Sequence, residues 1–399
     1  MEEITNIKIS ELCSKVCSGG TPKSSVPSYY DGNIPWLNTK EINFNRIYST
    51  EKSITEDGLN NSSAKWIDKN AVIVAMYGAT AGKTAISKIP LTTNQACCNL
   101  MIDADKADYR FVYYALVSEY NRLASLANGG AQQNLNAQQI KDFEIPFFSL
   151  KDQKRIANIL STLDDKIELN RRINDNLEQQ AQALFKSWFV DFEPFKDGKF
   201  VESEMGMIPE GWKVLNFNSF ITPLNDKVHA GSLPEYSVTN NGIIPRSKKF
   251  SKQLSSSTSK NKIVKFNNIV FGMSREILNW GIMQDQIGSV SSAYHVYAIN
   301  ESIIPPLYLK FLMESMPAYF NDLIGTASRE GQSLDKGALM NKLVYIPCIE
   351  IWKSFVDFST SIRNKQSKNS NEMIQLVDLR DTLLPKLMSG ELKINNLNC

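Results

Sequence analysis

The stretch MYGATAGKTAIS, from Met76 to Ser87, holds the residue types that cradle phosphate. A nucleotide-binding loop has the form G-x-x-x-x-G-K-[ST], its backbone amides and lysine facing the phosphates. Gly82, Lys83 and Thr84 supply the second half of that form, but position 77 is Tyr, and Gly78 leaves the loop one residue short. The context also differs. AVIVAM reads as the strand required before the loop, and a helix pointing its N-terminus at the phosphates should come after it. The chain instead continues as AISKIPLTTNQACCNLMI, with Pro90 and many β-branched residues, which reads as strand, turn and strand. The expectation is a polar hairpin tip, a place where backbone and short side chains meet a ligand.

Other reactive residue types are scattered. The two histidines, His229 and His295, are far apart, and no metal site is expected. The six cysteines (13, 17, 97, 98, 348 and 399) show neither metal nor disulfide spacing, which predicts a reducing, cytoplasmic setting. No run of about 18 apolar residues exists, so no membrane span is expected. The N-terminus lacks a basic-then-apolar signal pattern. A net charge of +2 neither requires nor excludes a nucleic-acid partner, because distribution matters more than the total.

The elements that position these loops repeat. The 399 residues suit two or three domains. AVIVAM (71–76) and NIVFGM (268–273) lie about 197 residues apart, as do QACCNLMI and SAYHVYAI. The helix-like FVYYAL and LYLKFL come next at about 196, and Ile145-Pro146 matches Ile346-Pro347 at about 201.

Each repeat then enters a long helix. Ser149 and Asp152 form a capping-box-like start. Apolar positions recur at alternating steps of four and three: Ile156, Leu160, Leu163, Ile167, then Asn170 and Asn174, then Leu177, Ala181, Leu184 and Trp188. The second series is Phe355, Phe358, Ile362, Lys365, Asn369, Glu372, Leu376, Leu379 and Leu383, ending near Pro385 and Gly390. Both seams are apolar at the ends and polar in the middle. Parallel or antiparallel pairing would match the layers; connectivity favours antiparallel. About 33 residues at 1.5 Å each make a rod near 50 Å. Two amphipathic helices packed on their own domains remain the alternative.

Two similar modules about one DNA turn apart would suit a split DNA site. The loops carry groups that meet phosphates and base edges. In the first repeat these are Lys23, Ser24 and Ser25; Thr39 and Lys40; Gly78, Thr80 and Lys83; and Gln132, Gln133 and Asn134. In the second they are Asn240; Arg246 and Lys248 in the basic, serine-rich stretch 246–265; Ser274, Arg275 and Glu276; and Arg329 with Gln332. The basic stretch fits a solvated segment equally well, and Arg275 and Glu276 could simply pair with each other.

Longer pieces carry a family resemblance. GGTPKSS, IPWLNTKEI, GATAGKTAI and NQA in the first repeat, the helix DQKRIANILSTLDDKIELNRRINDNLEQQAQALFKSWFVDFEPF, GMIPEGWKV, and the terminal LRDTLLPKLMSGEL are similar to specificity subunits of type I restriction-modification systems. The first repeat lacks an IPEGW opening, and the second matches GATAGKTAI only distantly. The resemblance implies a mixed α/β fold. Target-recognition domains at 1–148 and 205–348 would be joined by an antiparallel, pseudo-two-fold coiled coil of two conserved helices, 149–190 and 349–392. Each domain would read half of a bipartite, asymmetric double-stranded DNA site. The helices would space the domains and dock two methyltransferase subunits, with restriction-translocase subunits completing the enzyme. S-adenosylmethionine, ATP and Mg would belong to those partners, with no cofactor in this chain. Consistently, there is no N-P-P-[YF] methylation motif, no G-x-G-x-x-G, no helicase-like ATP motif and no catalytic constellation. The expected protein is a non-catalytic DNA-recognition subunit; a coiled-coil scaffold with two protein-binding heads, or a nucleotide-dependent enzyme using Lys83, are the other readings.

Overall fold

The computed structural model describes residues 5–127, 134–228, 233–246, 260–274, 276–325 and 334–392. The chain divides into two compact units, Met1–Arg171 with Asn369–Cys399, and Arg172–Lys368.

The first unit contains β1 (Thr5–Lys8), β2 (Cys13–Ser18), β3 (Tyr30–Leu37), β4 (Asn45–Ile47), β5 (Lys52–Ile54), α1 (Glu56–Asn60), β6 (Trp66–Ile67), β7 (Val72–Ala75) and β8 (Thr84–Ser87). It continues through β9 (Leu91–Thr93), β10 (Cys97–Ile102), α2 (Tyr109–Ser118), α3 (Tyr120–Ser125), α4 (Ala137–Asp142), β11 (Glu144–Phe147) and the first part of α5 (Leu150–Phe185). One sheet has the order β2-β10-β7-β8-β4, a second β5-β3-β9-β6, and β1 pairs with β11. Every residue of β7 is buried, which explains its unbroken apolar run. Val72 and Val74 pack with Phe111, Val112 and Ala115 of α2. Ile73 and Ala75, on the other face, pack with Leu37 and Leu91 of the second sheet.

The second unit contains β12 (Phe200–Ser203), β13 (Gly206–Pro209), β14 (Lys213–Asn216), β15 (Ile221–Leu224), β16 (Glu235–Thr239), β17 (Gly242–Pro245), β18 (Lys262–Lys265) and β19 (Ile269–Phe271). It continues through β20 (Trp280–Ile282), β21 (Ile287–Val290), β22 (His295–Ile299), α6 (Pro306–Ser315), α7 (Pro317–Phe320), α8 (Lys336–Asn341), β23 (Leu343–Ile346) and the first part of α9 (Ile349–Met388). Its sheets run β15-β22-β19-β20 and β17-β16-β21-β18, with ribbons β14-β23 and β12-β13.

The strand orders of the two units match position by position, with β4 as an addition to the first and the β12-β13 ribbon as an addition to the second. Even the direction rules agree: β3 lies parallel to β9, and β16 parallel to β21. The repeat landmarks in the sequence fall on β7 and β19, β10 and β22, α2 and α6, and β11 and β23. Asn70 and Asn267, just before β7 and β19, both have positive φ, 71° and 65°. Asparagine tolerates that left-handed region because its short side chain can hydrogen-bond locally.

The two long helices have 36 and 40 residues. Ser149 starts α5 as expected: its Oγ accepts from the Asp152 amide at 3.2 Å and donates to the Asp152 carboxylate at 2.7 Å. Within the first unit, Arg380 bonds Asp164 at 2.8 Å and Asn170 bonds Glu372 at 2.8 Å. Within the second, the Asn174 amide donates to the Gln366 carbonyl at 3.1 Å, and Gln366 donates to Glu178 at 3.2 Å. Numbers rise on one helix as they fall on the other, so the pairing is antiparallel.

Along α5 the expected seam holds: Leu160 is buried and Leu163, Ile167 and Leu177 are half-buried. Along α9 three positions shift by one, from Phe358, Lys365 and Leu379 to Ser359, Gln366 and Arg380, while Glu372 stays in reach of Asn170. Phe358 is 42% and Leu379 46% exposed, while Ser359 is buried and Gln366 and Arg380 reach across the seam. Phe355, Ile362, Asn369 and Leu376 keep their places, so the steps are four then three from Phe355 to Asn369. The apolar side chains of Phe358 and Leu379 mask this phase, because the residues that hold it are polar. Pro385 also lies inside the last turn of α9 rather than ending it. Leu384, Leu387 and Met388, buried in the first unit's core, hold that turn despite the missing proline N–H, and Gly390 comes next at φ 69°. Among the described residues no helix is long and apolar enough to cross a membrane.

Candidate nucleic-acid interface

The loops of the first unit are stitched to one another by named hydrogen bonds. After β2, the chain passes close beneath the β9 end at Gly19 and Gly20. A Cβ on Gly19 would lie 2.1 Å from the Thr93 carbonyl oxygen, and one on Gly20 2.2 Å from the Ala64 nitrogen. The Gly20 amide donates to the Thr93 carbonyl at 2.9 Å, and its own carbonyl accepts from the Trp36 indole at 2.9 Å. Thr21 then bonds the Gln95 side chain. Lys23, Ser24 and Ser25 come next, all exposed.

The connection after β3 joins the same cluster. Asn94 donates from its side chain to Asn38 at 3.0 Å, while its amide donates to the Leu37 carbonyl at 3.0 Å. Thr39 is half-buried. Lys40 is exposed and forms a 2.5 Å ion pair with Glu51, whose hydrogen bond and charge raise the lysine's pKa.

The GATAGKT stretch is the connection of the antiparallel β7–β8 hairpin, with no helix after it. Gly78 and Gly82 turn the chain at φ 68° and 82°, a conformation that glycine adopts freely. Thr80 donates to the Tyr77 carbonyl at 3.3 Å. Lys83 donates to Asn43 at 2.8 Å, which fastens the tip to the loop before β4. Asn134 pairs with Tyr77 as an antiparallel bridge, and the Leu135 amide donates to the Met76 carbonyl at 2.7 Å. Gly78, Thr80, Lys83 and Asn134 are thereby brought together with Asn43. Gln132 and Gln133 lie outside the described residues.

In the second unit Asn240 is exposed on the β16–β17 turn, closed by Gly242 at φ 86°. Arg246 lies folded on its sheet: it donates to Ser237 at 3.1 Å and stands 3.8 Å from Glu235, its side chain 13% exposed. Ser274 is buried, and its Oγ accepts from the Asn279 amide at 2.8 Å. Its place is inside the β19–β20 connection, not on its outer surface as expected. Glu276 is exposed on that connection. Lys248, Arg275, Arg329 and Gln332 lie outside the described residues.

Several members of the first cluster escape a sequence reading that looks for cations and glycines. Asn38, Asn43, Asn94 and Gln95 are neutral amides whose roles emerge only as partners. The NQA and NTKE motifs contain Asn94, Gln95 and Asn38, and were the available signal. Chemically, the cluster offers amide donors and acceptors, hydroxyls and a few lysines on a fixed backbone, a set suited to base edges and phosphates. Among the described residues no group of three His, Cys, Asp or Glu is placed to hold a metal ion.

Comparison with known proteins adds to this geometry. A family model described as "Type I restriction modification DNA specificity domain" matches residues 1–179. The chain is 30% identical over 420 residues to the type I restriction enzyme MjaIX specificity subunit of Methanocaldococcus jannaschii, covering 98% of this chain and 94% of that one. It is 24% identical over 439 residues to the HindI specificity subunit of Haemophilus influenzae, covering 90% and 94%. Its fold is similar to the crystal structure of a type I restriction-modification S subunit from M. genitalium, with a TM-score of 0.53 at 18% identity over 97% of both chains.

Proposed function

Because this chain belongs to the specificity subunits of type I restriction enzymes, the non-catalytic subunits that recognise DNA sequence, we propose that its two units read the two halves of one bipartite, asymmetric duplex site. The target-recognition domains are residues 1–148 and 205–348, and the helical segments 149–190 and 349–392 join them. The observation that carries this reading is the duplicated topology. Two sheets of matching strand order occur in each unit, and each unit has polar connections at the corresponding hairpins. A protein built this way presents two related but chemically different loop sets, as an asymmetric split site requires.

In this reading the helices also dock two methyltransferase subunits, and restriction-translocase subunits complete the assembly. S-adenosylmethionine, ATP and Mg act in those partners, in the cytoplasm. The loop cluster of the first unit contributes Lys23, Ser24, Ser25, Thr39, Lys40, Gly78, Thr80, Lys83 and Asn134. Asn240 and Glu276 contribute from the second.

Methylome sequencing of the native host, with the gene present and deleted, tests the proposal. One split motif should lose its methylation on deletion. A methylome unchanged by deletion would contradict it and favour a scaffold.

A further inference from the structure

The β7–β8 tip carries a side chain unlike its polar neighbours. Tyr77 is 43% exposed, although it stands beside Gly78, Thr80, Lys83 and Asn134. Its backbone is held from several sides. Met76, its neighbour, donates to the Ala96 carbonyl at 2.8 Å and accepts from Leu135 at 2.7 Å. The Ala75 and Lys83 backbones close the hairpin at 2.9 Å, and Tyr77 itself bridges Asn134. Next to it the tip faces open space, since a Cβ on Gly78 would meet nothing within 4 Å. A large ring on a fixed backbone, left in water within a hydrogen-bonding cluster, has little ordering entropy to lose on contact with a ligand.

The second unit repeats the arrangement with different chemistry. Its matching connection, β19–β20, leaves Met273 38% and Ile277 54% exposed. Both units therefore place a large apolar group on the same hairpin, next to polar ones.

We propose that Tyr77 is a specificity-determining residue that packs its ring against base edges in a groove of one half-site, and that Ile277 does the same in the other half. This rests on the DNA-specificity reading. Apolar side chains distinguish bases by contact with groups such as the thymine methyl, without touching phosphate. That separates Tyr77 from Lys83 and Lys23, whose charge favours all sequences alike.

The test uses the full-length chain assembled with its methyltransferase subunits and a randomised duplex DNA pool. The wild-type complex should select one split motif. Tyr77→Ala should relax one or two adjacent positions in one half only, and Ile277→Ala positions in the other half only. Affinity of the Tyr77→Ala complex for the wild-type motif should fall about 5- to 150-fold, the range of a base contact. Its affinity for unrelated DNA and its salt dependence should stay unchanged. Tyr77→Phe should keep the motif. An unchanged motif with Tyr77→Ala overturns the proposal, as does loss with Tyr77→Phe, which would point to the hydroxyl. Equal weakening on all sequences also overturns it. A wild-type complex that selects no motif would instead overturn the DNA-specificity reading itself.

Discussion

Lys88 shows how single residues depart from their ordinary chemistry in this fold. Burial, with the Arg46 guanidinium nearby, pulls its ammonium down to about 8. It rests against the Tyr109 ring, 5.4 Å from the centroid, and donates to the Tyr109 hydroxyl at 3.4 Å. In the unfolded chain a lysine titrates near 10.4. Between about 8 and 10 the unfolded state therefore binds more protons, and stability rises with pH through that window. Lys88→Met keeps most of the apolar stem and removes the charge. It should melt higher than wild type at pH 7, with the advantage shrinking towards pH 10. Thermal scans at both values check this; an advantage of equal size at both would show that the charge is not the cause.

At the scale of elements, the helix seams combine apolar ends with a polar middle. Asn170 is buried and pairs with Glu372; Asn174 reaches a backbone carbonyl, and Asn369 is buried. The Gln366 carbonyl lies within α9, where it can keep its own helical donor after Asn174→Leu. A polar residue at a seam position specifies register at a cost in stability. Asn174→Leu with Asn369→Leu should raise the melting temperature by roughly 2–4 °C for each kcal/mol gained. It should also permit slipped or intermolecular pairing. Calorimetry with size-exclusion chromatography reads both outcomes, and a lower melting point with unchanged oligomeric state would count against a register role.

At the scale of the whole molecule, α5 and α9 carry the chain from one unit to the other, since the division falls within both helices. If they set the spacing of the half-sites, one heptad added to each near the polar layer keeps the seam in phase. It adds about 10 Å at 1.5 Å per residue. That corresponds to about three base pairs at roughly 3.4 Å each. Three base pairs also rotate a half-site by about 100° on a duplex of roughly 10–10.5 base pairs per turn. The preferred spacer should lengthen and binding should weaken. Selection among duplexes with variable spacers measures this, and an unmoved optimum with full affinity would show that the helices do not set the distance.

The elements most legible in the sequence were those made by apolar periodicity. Buried strands such as Val72–Ala75 and Ile269–Phe271 read as apolar runs because both faces are covered, so their repeat survives divergence. The hairpin nature of GATAGKT was equally readable, because Pro90 and β-branched residues oppose a helix. The matching order of the outer sheets was not readable: β6 and β18 are short or half-exposed, and pairing joins residues far apart in sequence. Nor was the phase of α9, since its seam positions are held by a buried serine, Ser359, and by Gln366 and Arg380, which bond across to α5, rather than by apolar side chains. Nor was the need for Gly19 and Gly20, which stand where two backbone segments approach too closely for a Cβ. Arg246 and Ser274 looked available to a ligand, and tertiary packing turned both towards the protein. Composition and periodicity determine which segments must be buried; only the packed structure decides which polar groups find partners within the chain and which stay open to a ligand.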